Sequence, residues 1–231
     1  MTDAVKQTPR DPFDLPDVSD LSIGVLGGTG EQGRGLALRW AQAGHTVVIG
    51  SRDAQRAAAS AAELGHGVTG AANAECAAGT DVVVAAVPWA GHAELLSSLA
   101  EPLRGKILID CVNPLGFDKA GAYALPVEQG SAAQQAAELL PRSRVVAAFH
   151  HISAVLLLDP AITTLDTDVL VLGDDRDATD VVSALANQIP GLRGLYAGRL
   201  RNAGQVEAFT ANLISMNRRY KSHAGVRITD V

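Results

Sequence analysis

Short apolar runs alternate along this chain with stretches of helical periodicity. Residues 21–26 (LSIGVL) read as a strand, 34–43 as a helix ended by Gly44, and 45–50 as a second short strand. Further apolar runs follow at 82–87, 107–111 and 145–149. Between them, residues 54–64, 92–103 and 132–140 are rich in helix formers and poor in β-branched residues. Such a strand–helix rhythm predicts an α/β fold of Rossmann type, a doubly wound, mostly parallel sheet covered by helices on both faces. Beyond residue 150 the pattern changes. Residues 168–173 and 192–196 read as strands around a helix at 178–189, and a long final helix covers 202–223. The expected division is an N-terminal arm over 1–20, a large sheet domain over 21–150, and a smaller carboxyl-terminal α/β domain over 151–231.

The junction between the first strand and the first helix carries chemistry. Gly28-x-Gly30-x-x-Gly33 follows the strand directly. In such a turn Gly28 is expected to allow the tight bend, Gly30 to let the backbone approach a pyrophosphate, and Gly33 to let the helix pack on the strand. Free N–H groups at the helix start then face the anion. The end of the second strand, about 20 residues on, should meet the adenosine ribose, where an NAD site places Asp or Glu. This chain places Ser51-Arg52 there, with Arg56 one helical turn beyond. A carboxylate repels a 2′-phosphate, whereas a hydroxyl and a guanidinium donate to it. The expected ligand is therefore NADP(H).

In a doubly wound sheet ligands sit beyond the carboxyl ends of the strands. Three segments in that position are expected to converge on the nicotinamide end: Val87-Pro88-Trp89, Asn113-Pro114 and His150-His151-Ile152-Ser153. Pro88 fixes its own φ, and Trp89 either covers part of the dinucleotide or fills the core. Asn113, held away from helical geometry by Pro114, either offers its amide to a ring carbonyl or carboxamide or forms an ordinary turn. Adjacent residues leaving a strand point in opposite directions, so the pair makes no metal site, and one of the two histidines either faces the pocket as a hydrogen-bond donor or is simply packed or solvated. The expected cofactor-binding set is Gly28, Thr29, Gly30, Gln32, Gly33, Ser51, Arg52, Arg56, Val87, Pro88, Trp89, Asn113, Pro114, His150 and Ile152. His150 and Asn113 are the expected catalytic residues.

Composition narrows the classes further. With 231 residues, 47% of them apolar, the chain can bury one large core, and its net charge of −6 argues against general nucleic-acid binding. No apolar run approaches the roughly 18 residues of a membrane span. The first 20 residues hold Pro9, Pro12 and Pro16 among scattered charges, which reads as a flexible arm and not a signal peptide. Cys76 and Cys111, the only cysteines, have no metal or redox spacing and are expected as buried thiols in a reducing cytoplasm. Neither a Gly-x-Ser-x-Gly elbow nor a paired carboxylate cluster supports hydrolysis.

Taken together, the motifs resemble those of the F420-dependent NADP oxidoreductase family. The carriers are Gly27-Gly28-Thr29-Gly30 with Gly33, Gly50-Ser51-Arg52 with Arg56, Val87-Pro88-Trp89, the segment from Ala148 to Ala154, Gly173-Asp174-Asp175, and the segment from Ala197 to Asn202. The resemblance runs from about Leu21 to the end of the chain. It implies a deazaflavin, coenzyme F420, lying over the nicotinamide, with Thr29, Ser51, Arg52 and Arg56 holding NADP and His150 with Ile152 bordering the deazaflavin. It also implies a homodimer built around the carboxyl-terminal domain. One departure is visible: Ser153 stands where archaeal members carry proline. The nucleotide domain also resembles the cytosolic part of membrane metalloreductases. The expected reaction is hydride transfer between NADP(H) and F420, which needs positioning more than covalent catalysis. The rival readings are an NADP-dependent imine or keto-acid reductase and a non-catalytic NADP sensor.

Overall fold

The computed structural model describes residues 11–231. Ten strands and eight α-helices alternate in the order β1 (Ile23–Leu26), α1 (Glu31–Gln42), β2 (Val47–Ser51), α2 (Ala54–Leu64), β3 (Thr69–Ala72), α3 (Asn73–Gly79), β4 (Val82–Ala85), α4 (His92–Ser98), β5 (Ile107–Asp110), β6 (Leu115–Asp118), β7 (Gly121–Ala124), α5 (Ala132–Leu139), β8 (Arg144–Ala147), α6 (Ala154–Leu158), β9 (Thr167–Gly173), α7 (Arg176–Asn187), β10 (Leu192–Gly198) and α8 (Ala203–Tyr220). Eight strands form one sheet in the order β10-β9-β8-β5-β4-β1-β2-β3, and β6 pairs with β7 in a separate hairpin. Within the sheet only the β8–β9 pair is antiparallel, with Val146 opposite Gly173 and Ala147 opposite Leu172.

Alternation within the central strands explains how one sheet carries two apolar layers. Val82 and Val84 of β4 and Ile107 and Ile109 of β5 enter one buried cluster, where Trp40, Phe149 and Leu185 also lie. Their neighbours Val83, Ala85 and Leu108 enter the cluster on the other face, with Leu96, Leu103, Leu140 and Val206. Strands buried on both faces read as continuous apolar runs, which is how β4 and β5 appear in the sequence. The Trp40 indole donates to the Leu185 carbonyl at 2.9 Å and meets the Phe149 ring edge-to-face at 5.4 Å.

The chain leaves β1 to build β2 and β3 on one side and returns to build β4 on the other. The reversal places a crevice beyond the carboxyl ends of β1 and β4, where doubly wound sheets bind ligands. Strands β9 and β10, expected in a smaller second domain, extend this same sheet. Of the expected N-terminal arm, residues 1–10 lie outside the described residues. In its remaining part Val18 is buried in the core, with Leu15 packed against the same cluster. The β6–β7 hairpin and the short strand β3 are elements that the apolar pattern does not predict.

Candidate functional site

The glycine turn between β1 and α1 has the expected geometry with one reassignment. The tight bend falls on Gly27, whose φ is 72°, and not on Gly28. Gly28 is required for a different reason, since a Cβ there would lie 2.5 Å from the Cβ of Ile49 on β2. At Gly33 a Cβ would lie 2.9 Å from the Gly27 carbonyl oxygen and the Gly28 Cα, so close helix–strand contact demands glycine. Gly30 is exposed, and the nearest atom to a Cβ there would be 3.4 Å away. It is the N-cap of α1 with no side-chain cap, so the helix start is left with amide donors for an outside anion. Thr29 is half-buried beside it.

Ser51 ends β2 half-buried, and Arg52 and Arg56 beyond it are exposed. The Asp53 carboxylate lies among them but is engaged. Its Oδ1 accepts the backbone N–H groups of Gln55 at 2.8 Å and Arg56 at 3.2 Å, capping α2. The Asp53 N–H in turn donates to Ser51 Oγ at 3.3 Å. Hydroxyl and guanidinium groups are thus brought to the end of β2 by a strand and a well-capped helix. Asn73, at the start of α3, places a buried Oδ1 without a partner among the described residues close beside Gly50. Sequence reasoning missed it, because β3 went unread.

The other three strand exits meet as expected. A Cβ on Gly27 would lie 2.7 Å from Val87, so the glycine turn touches the exit of β4. Pro88 is exposed, and Trp89 is half-buried at the start of a short 3₁₀ turn leading into α4. Gln32 reaches from α1 to donate to the Phe149 carbonyl at 3.2 Å, which joins the turn to the exit of β8. Phe149 is fully buried at a φ of 63°, a left-handed conformation unusual for a bulky residue. Pro114 is buried.

Asn113 departs from the expectation that its amide faces a ligand. Its Nδ2 donates to the His150 carbonyl at 2.8 Å, and its Oδ1 accepts from Thr210 Oγ1 at 3.4 Å, so both ends of the amide are engaged within the protein. Thr210 Oγ1 also lies 3.2 Å from the His150 carbonyl, so its single proton is shared between these two acceptors. Asn113 therefore fixes the loop that presents His150. Ile152 is packed in the core with Trp40 and Phe149.

The two histidines differ in their partners. His151 Nε2 lies 2.8 Å from the Asp168 carbonyl, while both ring nitrogens of His150 are buried without a partner among the described residues. Burial pushes the His150 ring down to about 4, which keeps the imidazole neutral near pH 7 with one nitrogen carrying a proton and the other free to accept. Burial also lowers the His151 ring. A buried polar group without a partner is costly in a folded protein, and a bound ring with matching polar edges would remove the cost. Next to this ring lies a cluster that the sequence did not suggest. His92, Asp110 and Glu207 come from α4, β5 and α8 and are all buried. Asp110 sits in a strand whose other residues are buried and apolar, a setting in which a carboxylate must find a partner.

Gly173-Asp174-Asp175 and the segment from Ala197 to Asn202 lie apart from the strand exits. Arg199 donates to the Asp174 carbonyl at 3.0 Å, and Asp175 caps α7 by accepting from the Ala178 N–H at 2.9 Å. Both segments border a cavity of about 920 Å³ along β10 and α7. That cavity is separated from the glycine turn by five steps across the sheet.

The chain is similar to known proteins over most of its length. The profile described as "NADP oxidoreductase coenzyme F420-dependent" matches residues 22–114. The F420-dependent NADP reductase of Methanothermobacter thermautotrophicus is 41% identical over 223 residues, covering 91% of this chain and 96% of the relative. The F420-dependent NADP reductase of Methanocaldococcus jannaschii is 37% identical over 224 residues, covering 91% and 99%. A crystal structure of an Arthrobacter sp. FB24 protein proposed to be an F420-dependent NADP reductase superposes with a TM-score of 0.79 at 30% identity, covering 90% of this chain and 99% of that one.

Proposed function

The chain belongs to the family of coenzyme F420-dependent NADP oxidoreductases, and from that premise we propose how its own residues serve hydride transfer between NADP(H) and the deazaflavin. The protein is an oxidoreductase that uses NADP(H) and F420 as substrates. The observation that carries this is 41% identity maintained over 91% of the chain. When bound, the two coenzymes supply the carbon atoms that give and accept the hydride.

The residues present fit those groups. The uncapped start of α1, with Gly30 clear of side chains, offers backbone donors to a pyrophosphate, while Ser51, Arg52 and Arg56 offer a hydroxyl and two guanidinium groups to a 2′-phosphate. His150, neutral and unpartnered, is suited to donate one hydrogen bond to the pyrimidine edge of a deazaflavin, where charge accumulates on reduction. Asn113 and Thr210 hold that histidine's backbone in place. Val87, which lies against Gly27, and the following Pro88 and Trp89 are placed to border the nicotinamide end. Positioning of this kind accounts for most of the rate in a reaction that needs no covalent enzyme intermediate.

Two finer assignments complete the reading. We assign the enzyme to the cytoplasm, a placement supported by two unpaired, buried cysteines, Cys76 and Cys111. No described helix is long and apolar enough to cross a membrane. We also assign it a homodimeric state, supported by the apolar side chains that α8 leaves exposed. The activity is tested by mixing catalytic amounts of enzyme with NADPH and oxidised F420. Multiple-turnover loss of the deazaflavin's visible band is expected, and its absence would refute the reading.

A further inference from the structure

His92 and Asp110 are fully buried, with His92 Nε2 2.7 Å from Asp110 Oδ2. The remaining polar atoms of both side chains are also engaged. Asp110 Oδ1 accepts the Val112 N–H at 3.0 Å, and His92 Nδ1 lies 3.0 Å from Gln135 Oε1. The other end of the same amide, Nε2, donates to Gln129 Oε1 at 3.3 Å. An imidazole between two acceptors must carry a proton on each nitrogen. With the Gln135 amide oxygen facing the ring in this way, the ring is imidazolium and its contact with Asp110 is an ion pair.

The charged surroundings are few. Glu207 faces the pair from α8, with its carboxylate accepting the N–H groups of Ala132 at 2.9 Å and Ala133 at 3.2 Å at the start of α5. The His150 ring is also close enough to Asp110 to feel its charge. Burial opposes the charge on His92, but the Asp110 carboxylate and the Gln135 amide outweigh it and hold the ring above its ordinary value.

Two apolar side chains would fill this volume without desolvating charge, so stability alone gives little reason for a buried ion pair. What the pair supplies is direction. On the His92 side, the Trp89 indole lies against the imidazole, with ring centres 5.4 Å apart and planes tilted by 34°. On the Asp110 side, the Val112 N–H fixes the loop whose next residue, Asn113, holds the His150 carbonyl. We propose that the His92–Asp110 ion pair is a positioning device that fastens the Trp89 turn to the Asn113 loop and so sets the wall against which the reacting rings are held. The inference rests on the reading above that these strand exits border NADP(H) and the deazaflavin.

The test compares Asp110→Ala with Asp110→Asn. The alanine variant unties both loops. The asparagine variant can accept from Val112 and donate to a neutral His92, so it restores the same connections without charge. Asp110→Ala is expected to lower kcat about tenfold or more, since small misplacements are costly in positioned reactions, with the NADPH Kd changed less than about twofold because the phosphate-binding groups are untouched. Asp110→Asn is expected to recover most of the loss. Asp110→Ala should also raise the emission of Trp89, taken as the difference between each protein and its Trp89→Phe counterpart, as the indole leaves the imidazolium. Nitrogen-15 spectra of the His92 ring, assigned with His92→Gln, should show two protonated nitrogens in the wild type at pH 7 and one in Asp110→Asn. A folded Asp110→Ala protein with wild-type kcat would overturn the proposal. So would an asparagine variant as slow as the alanine variant, or a neutral His92 in the wild type. A wild type without F420 turnover would instead sink the activity reading, and the emission and ring spectra would still decide whether the pair pins Trp89.

Discussion

Gln32, in the first turn of α1, donates a 3.2 Å hydrogen bond to the backbone carbonyl of Phe149, which joins the glycine turn to the loop that carries His150. Phe149 holds a left-handed φ of 63° and is kept there by its ring, buried against Trp40. A conformation of this kind costs about 1–2 kcal/mol and persists only when its surroundings hold it. Gln32→Ala is therefore expected to lower stability by about 1 kcal/mol in urea unfolding and to slow turnover more than it weakens NADPH binding. Lost stability with unaltered turnover would show that the link supports the fold alone.

Discrimination between NADPH and NADH should depend on Arg52. The side chain is exposed at the end of β2, beside Ser51 and one helical turn before Arg56, while Asp53 directs its carboxylate to the start of α2. Charge-assisted hydrogen bonds contribute about 1.5–3 kcal/mol each, so Arg52→Ala should weaken NADPH binding roughly ten- to a hundredfold. NADH binding should barely change. Titration of both coenzymes against both proteins checks this, and equal discrimination in wild type and variant would remove the assignment.

The parts of this fold that read clearly from sequence are those where apolar runs meet glycine punctuation. β1, the turn at Gly27–Gly33 and α1 follow from Ile23, Val25 and Leu26 ending on glycines. β3 was hidden for a physical reason. Its sequence, Thr69-Gly70-Ala71-Ala72, holds only small residues because α2 lies directly on it, and a Cβ at Gly70 would come within 2.3 Å of the Ala57 backbone. Apolar periodicity cannot reveal a strand whose neighbour leaves no room for apolar side chains. The continuation of the sheet into β9 and β10 was equally hidden, since periodicity predicts strands but not the strand beside which each one lies. At the site, residue types at strand ends pointed to the proposed phosphate-binding groups, whose arrangement is local in sequence. The cluster of His92, Asp110 and Glu207 depends on contacts between residues up to 115 positions apart, as in His92 to Glu207. Its one sequence signal was a carboxylate within Ile107-Leu108-Ile109-Asp110.

His150 should leave a signature in the pH dependence of stability. Its ring is held at about 4 in the folded protein against 6.5 when unperturbed, so the unfolded chain binds more protons between these values. The stability it contributes is present above pH 6.5 and is lost as pH falls towards 4, at up to about 1.4 kcal/mol per pH unit. Glu207 works in the opposite sense. Burial raises its carboxyl from 4.5 to about 7, so its contribution is present below pH 4.5 and lost as pH rises through 7. The two slopes offset each other, and the wild-type curve alone is uninformative. The difference between wild type and His150→Gln isolates the histidine, and the wild type should lose ground as pH falls from 6.5 to 4. A pH-independent difference would refute the buried neutral ring. At neutral pH, His150→Gln should lower turnover more than NADPH binding. His151→Ala should act mainly on stability, because His151 bonds to the Asp168 carbonyl.

The proposed homodimer rests on α8, where the sequence shows an apolar seam of Val206, Phe209, Leu213, Met216 and Tyr220. The fold divides that seam. Val206 and Leu213 are buried against the body of the protein, while Phe209, Met216 and Tyr220 are 37%, 42% and 73% exposed. Nearby, the β6–β7 hairpin packs on α8 and leaves Phe117 and Tyr123 exposed as well. Several large apolar side chains left together in water mark an interaction surface. A two-fold interface brings the same patch of both subunits together, so one substitution acts twice. Phe209→Glu would place two carboxylates in an apolar contact, at a cost the monomer does not bear because Phe209 already reaches solvent. The wild type is expected to sediment as a dimer at micromolar concentration and Phe209→Glu as a monomer with an unchanged unfolding midpoint. A monomeric wild type, or a stable variant that stays dimeric, would show that α8 serves its own subunit only.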